Sequence, residues 1–161
     1  MEQLKQNRIL LVLSLCITVG LYSVAQLIAA PVKDRVIESV DIVDDIHRSD
    51  VSINFSFPVR YMKHFPLYKG KELRIQLRPL VVAPVDTDAV FEREAIVPQQ
   101  TELVPLYEVV YEGDFSADGF YVHLSFDTDM VFGVEQGTDF RSIVVHVCQT
   151  EYSNKLKYCL D

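Results

Sequence analysis

Between Arg60 and Arg78 the chain gathers Arg60, Lys63, Lys69, Lys71, Arg74 and Arg78 around His64, with Glu72 as the only opposing acid. Tyr61, Phe65 and Tyr68 are interleaved with these cations. A guanidinium group presents a planar donor fork that matches carboxylates and phosphates, and cations stack on aromatic faces. The segment therefore has the chemistry to hold a carboxylate-bearing glycan, an anionic lipid headgroup or an acidic protein tail. The residues expected to carry such binding are Arg60, Tyr61, Lys63, His64, Lys69, Arg74 and Arg78. The competing reading is that these charges solvate a sheet face and balance Asp86, Asp88, Glu92 and Glu94 in the segment that follows.

Other residues with chemical potential are less organised. His123 and His146 both fall on the polar parity of alternating segments, where they are able to neighbour each other across a ladder. Two imidazoles without a third ligand or an HxH or HxxxH spacing make a poor metal site, so no metal is expected. Asp44-Asp45 and the pair Asp127 and Asp129 lie beside expected turns, where Asp accepts backbone hydrogen bonds for structural reasons. The chain has no Gly-rich phosphate loop, no Gly-x-Ser-x-Gly elbow and no metalloprotease helix. These observations give no reason to expect an enzyme or a cofactor.

Cys148 and Cys159 bracket a polar tail containing Tyr152, Lys155, Lys157 and Tyr158. In an oxidising compartment the expected arrangement is a disulfide fastening that tail to the last strand, with an intermolecular bridge or free thiols as alternatives. In the chain-entropy account, closing a loop of about ten residues stabilises by roughly 2–3 kcal/mol.

The compartment itself is read from the N-terminus. Lys5 and Arg8 precede an apolar run from residue 9 to residue 30 that contains no Asp, Glu, Lys or Arg. Basic, then apolar, then small residues is the order of a signal peptide or an uncleaved membrane anchor. Its length is close to the ~20 residues that span a bilayer, and Ser23-Val24-Ala25 offers small residues for cleavage. Residues 1–30 are therefore expected to export a domain to the periplasm, with inner-membrane attachment if they are retained. The formal charge of the whole chain is −8, and the part after residue 30 carries 13 basic against 22 acidic side chains. Such a field repels a polyanion, which argues against nucleic acid as a partner.

From Arg35 onward the hydrophobic period is two rather than 3.6, which describes half-buried strands. Strands are expected at Val36 to Ile42, Val51 to Phe57, Leu73 to Leu77, Leu103 to Tyr111, Phe120 to Phe126, Met130 to Val134 and Ile143 to Val147. Turn-rich segments separate several of them at Tyr68 to Lys71, Gly113 to Gly119 and Glu135 to Asp139. The stretch from Val82 to Glu102 reads as a long loop with a short helix near Asp88 to Glu94. About seven such strands make a small antiparallel β-sandwich over residues 31–147, followed by the tail at residues 148–161.

Glu38-Ser39-Val40-Asp41 leading into Val51 to Phe57, then Pro58 to Pro66, Gly70, Leu73 to Leu77 and Asp139 to Val145, resembles the N-terminal β-domain of proteobacterial envelope proteins that continue into tetratricopeptide repeats. That region is similar in turn to the AMIN domain, a β-sandwich. The resemblance covers roughly residues 35–147 and implies a non-enzymatic envelope module that binds peptidoglycan or another envelope component. A scaffold subunit that pairs with an envelope protein by a strand edge is the alternative expectation.

Overall fold

Period-two alternation of apolar and polar residues carries through to the strands it specifies. In the computed structural model, which describes residues 35–46, 48–81, 89–113 and 119–149, eight strands form. They are β1 (Ile37–Asp44), β2 (Ser49–Phe55), β3 (Val59–Phe65), β4 (Lys69–Pro79), β5 (Arg93–Ile96), β6 (Leu106–Glu112), β7 (Phe120–Gln136) and β8 (Ser142–Gln149). Every pairing is antiparallel. The described part is therefore the all-β antiparallel class expected from the alternation, with no α-helix among the described residues. All of these residues belong to one compact unit, Asp34–Asp161.

The long strand β7 is the branch point of the sheet, pairing with β4, β6 and β8. Its first half lies between β4 and β6, with Leu73 opposite Leu124 and Val109 opposite Leu124 on the other edge. Its second half pairs with β8, from Met130 opposite Gln149 to Gln136 opposite Ile143. Between them the β4 register jumps from Gly70 opposite Met130 to Glu72 opposite Ser125, so β7 bows out at Asp127, Thr128 and Asp129. A bulge of this kind bends a strand. The eight strands form one sheet in the order β1-β2-β8-β7-β4-β3, and β6, with β5 beyond it, joins that sheet along the first half of β7.

Phe120, Val122, Leu124, Phe126, Met130 and Phe132 keep the same parity through the bend and all enter the core, where they meet Phe55, Leu77, Tyr111 and Val145. Burying side chains of this size contributes about 1.5–3 kcal/mol each, so the bend costs little of the apolar pattern. Val131 and Cys148 are buried together on the opposite face, where β7 pairs with β8.

The departures from the sequence reading are local. The expected pieces Phe120 to Phe126 and Met130 to Val134 are one strand, and Asp127 and Asp129 sit in its bulge rather than beside an inter-strand turn. β3 was not anticipated because Arg60, Met62 and Lys63 interrupt its alternation. In the expected loop, residues 82–88 lie outside the described residues, Ala89–Phe91 form a 3-10 turn, and β5 pairs with β6. Cys148 belongs to β8 rather than to a tail beginning at residue 148. Residues 1–30 and Cys159 also lie outside the described residues. Among the described residues no helix is long and apolar enough to cross a membrane.

Candidate anion-binding face

β4 sets the geometry. Leu73, Ile75 and Leu77 are fully buried, so strand alternation turns Arg74, Gln76 and Arg78 to the outer face. Residues directly opposite in a ladder share a face. Arg60 lies opposite Arg78, Lys63 opposite Gln76 and Phe65 opposite Arg74, which places Arg60, Lys63 and Phe65 on that same outer face.

Strict alternation along β3 would have separated Arg60 from Lys63. A register shift between Tyr61 and Lys63 inserts Met62 and restores Lys63 to the side of Arg60. The same shift sends His64 to the inner side beside Tyr61, the two lying opposite Ile75 and Leu77. There the Tyr61 hydroxyl donates to His64 Nδ1 at 2.6 Å, and His64 Nε2 donates to the Leu67 carbonyl at 3.0 Å. A carbonyl oxygen can only accept, so the bond to Leu67 requires a proton on Nε2. Burial raises the Tyr61 pKa, so its hydroxyl keeps the proton that it donates. The ring of His64 stands edge-on to Phe132.

Of the seven expected binding residues, the structure thus brings Arg60, Lys63, Arg74 and Arg78 onto one outer face. Tyr61 and His64 instead support the β3–β4 hairpin from within. Lys69 is five positions from Arg74, about 17 Å along an extended strand, and its ammonium pairs with Asp129 at 3.5 Å.

The outer face continues across the sheet. The Arg74 guanidinium stacks over the Tyr121 ring at 3.7 Å from its centroid. His123 lies opposite Arg74 on one side and Val110 on the other. Its Nε2 is buried without an aligned hydrogen bond, although Glu112 Oε2 is 3.3 Å away. Burial lowers the His123 pKa, Glu112 opposes that shift and Arg74 reinforces it. Arg93, which the sequence reading left inside a loop, reaches Glu112 at 3.6 Å from β5. Arg74, Phe91, Arg93, Glu112, Gly113 and Tyr121 line a shallow cleft of about 300 Å³ beside the basic strip. The cleft is assembled from side chains of β4, β5, β6 and β7 and the turn before β5, and no local motif signals it.

Among the described residues, which do not include Asp86 and Asp88, Arg60, Lys63 and Arg78 have no ion-pair partner. Arg60 and Arg78 are moreover directly opposed, a like-charge placement that destabilises a ladder. Glu94, one of the acids set against this strip in the competing reading, is committed elsewhere: its carboxylate accepts the Val36 and Ile37 N–H groups.

The two histidines do not meet. His123 on β7 lies between Arg74 and Val110, whereas His146 on β8 lies between Asp50 Oδ1 at 2.7 Å and Glu135 Oε1 at 3.2 Å. Among the described residues, no three His, Cys, Asp or Glu side chains are placed to hold a metal ion. No family model, curated protein or solved structure matches the chain.

Proposed function

We propose that the chain is a non-enzymatic module of the periplasmic cell envelope that holds an anionic envelope component, peptidoglycan in the first instance, on the outer face of β3 and β4. The observation that carries this reading is the direct opposition of Arg60 and Arg78 beside Lys63, with no carboxylate partner for the three among the described residues. A carboxylate-bearing ligand would relieve that repulsion, and paired guanidinium forks bind such groups through two parallel hydrogen bonds. Arg74 is held flat on Tyr121 at the margin of the strip, so less side-chain entropy is lost when it engages a ligand. The AMIN-like resemblance and the export segment at residues 1–30 agree with this assignment. A disulfide between Cys148 and Cys159 is part of the same proposal, and a mass gain of two hydrogens on reduction would establish it.

The test is co-sedimentation of the full chain, in mild detergent, with lipid-free peptidoglycan sacculi across a salt series, beside Arg74→Glu/Arg78→Glu. The reading expects binding that weakens with salt and is lost in the double variant. Binding by neither protein, or equally by both, refutes it.

One observation favours strand-edge assembly as a second reading. Among the described residues β1 pairs only with β2, and a groove of about 480 Å³ runs along Val40, Asp41, Ile42 and Val43, facing Gln99 and Thr101. An open edge beside a groove is the geometry of strand addition. Concentration-dependent oligomers abolished by Ile42→Pro would support it.

A further inference from the structure

The turn joining β3 to β4 carries large apolar side chains outward. Phe65 is 74% exposed, Leu67 58%, Tyr68 59% and nearby Met62 42%. Most exposed hydrophobics elsewhere in the described chain are isolated, whereas these four fall within a stretch of seven residues. Contiguous exposed apolar groups mark an interaction site.

The turn is also firmly held. His64 Nε2 donates to the Leu67 carbonyl, Tyr61 fixes His64 from behind, and the Phe132 N–H donates to the Tyr68 carbonyl at 2.9 Å. The inward-facing Tyr61 and His64 thus hold the backbone of the tip while its apolar side chains face solvent. A tip fixed in this way loses little entropy when it inserts.

Lys63 and Lys71 stand on either side of it in sequence, both exposed and without an ion-pair partner among the described residues. A convex tip of three or four side chains is small beside the roughly 800 Å² per partner of a specific protein interface. It has instead the composition of an interfacial membrane anchor: aromatic and aliphatic side chains for the headgroup boundary, with Lys63 and Lys71 flanking them in sequence for anionic lipid. We propose that the β3–β4 tip, Phe65, Leu67 and Tyr68 flanked by Lys63 and Lys71, docks into the headgroup interface of a bilayer containing anionic lipid. This inference does not rest on polymer binding, because it uses the hairpin tip rather than the strand face and lipid rather than sacculi.

The chain has no tryptophan, so a single introduced one reports its own surroundings. Leu67→Trp and, as a second probe, Tyr68→Trp are compared with Val43→Trp on β1, each in the full chain mixed with phosphatidylcholine vesicles with or without phosphatidylglycerol. The N-terminal apolar run does not confuse this readout, since only the probe's position is sensed. With phosphatidylglycerol present, both tip probes should shift to the blue and be quenched by lipids brominated on their acyl chains, while Val43→Trp stays unchanged. Each cation near such a surface contributes about fivefold to partitioning, so adding Lys63→Gln/Lys71→Gln should lower tip insertion by roughly 25-fold. Unshifted, unquenched tip probes overturn the proposal. So does insertion that is equal with and without anionic lipid, or insertion untouched by the two Lys substitutions.

Discussion

Glu94 holds Val36 through its backbone: Oε1 accepts the Val36 N–H at 2.7 Å, and Oε2 accepts that of Ile37 at 3.1 Å. A carboxylate on β5 therefore closes the start of β1, where Val36 and Ile37 are both buried. Glu94→Ala strands two donors among buried residues and should cost roughly 2–3 kcal/mol. Glu94→Gln keeps one acceptor oxygen and should cost less. Urea unfolding midpoints check the order, and faster amide exchange at Val36 and Ile37 should accompany the Ala variant.

Tyr111 is fully buried, donates its hydroxyl to the Val90 carbonyl at 2.5 Å and has its pKa raised, first by burial and then by the charge of Glu94. The unfolded chain ionises this phenol near pH 10 while the folded chain retains the proton. Stability from Tyr111 is thus complete below pH 10 and is lost as pH rises from there toward the folded value. Alkaline unfolding should show this loss, and it should be shallower in Tyr111→Phe even though that variant is less stable at neutral pH. Thermal unfolding at several pH values above and below 10 reads both effects.

The class of fold was legible because the strands with one buried face, such as Val51, Ile53 and Phe55 on β2, announce themselves by alternation. What was not legible depends on bulges. Met62 reverses parity along β3, so counting by twos would have paired His64 with Arg60 and put Lys63 on the other side. The bow at Asp127 to Asp129 likewise reads as a turn, because exposed Asp residues interrupt the run although both flanks face one core. On β4 no bulge intervenes between Leu73 and Leu77, and the outward placement of Arg74 and Arg78 follows from sequence alone. The like-charge opposition of Arg60 and Arg78 needed the register, which separations of eighteen residues do not encode.

Gly119 has a φ of +104°, and a β-carbon there would stand 2.2 Å from the Leu77 carbonyl oxygen. Both the backbone angle and the space exclude a side chain at the point where β7 begins beside β4. Gly119→Ala should destabilise the domain by at least about 2 kcal/mol. Gly113→Ala also meets backbone, at 2.2 Å from the Val90 oxygen, but without a positive φ. Without the strain of a positive φ its cost should be smaller, and chemical denaturation of the two variants tests the ranking.

Arg74 and His123 occupy opposing positions on β4 and β7, and the charge of Arg74 adds to burial in lowering the His123 pKa, against the pull of Glu112. The folded chain therefore keeps His123 neutral at pH values where the unfolded chain, with a pKa near 6.5, has protonated it. The associated stability is present in full above pH 6.5 and is lost as pH falls from 6.5 through the folded pKa. Arg74→Gln should raise the His123 pKa, whereas Glu112→Gln should lower it further, and histidine proton chemical shifts followed through a pH titration distinguish the two directions. If an anion occupies the face beside Arg74, it should raise the His123 pKa as Arg74→Gln does. Titration of His123 with and without soluble peptidoglycan fragments therefore reports occupancy of the face independently of sedimentation.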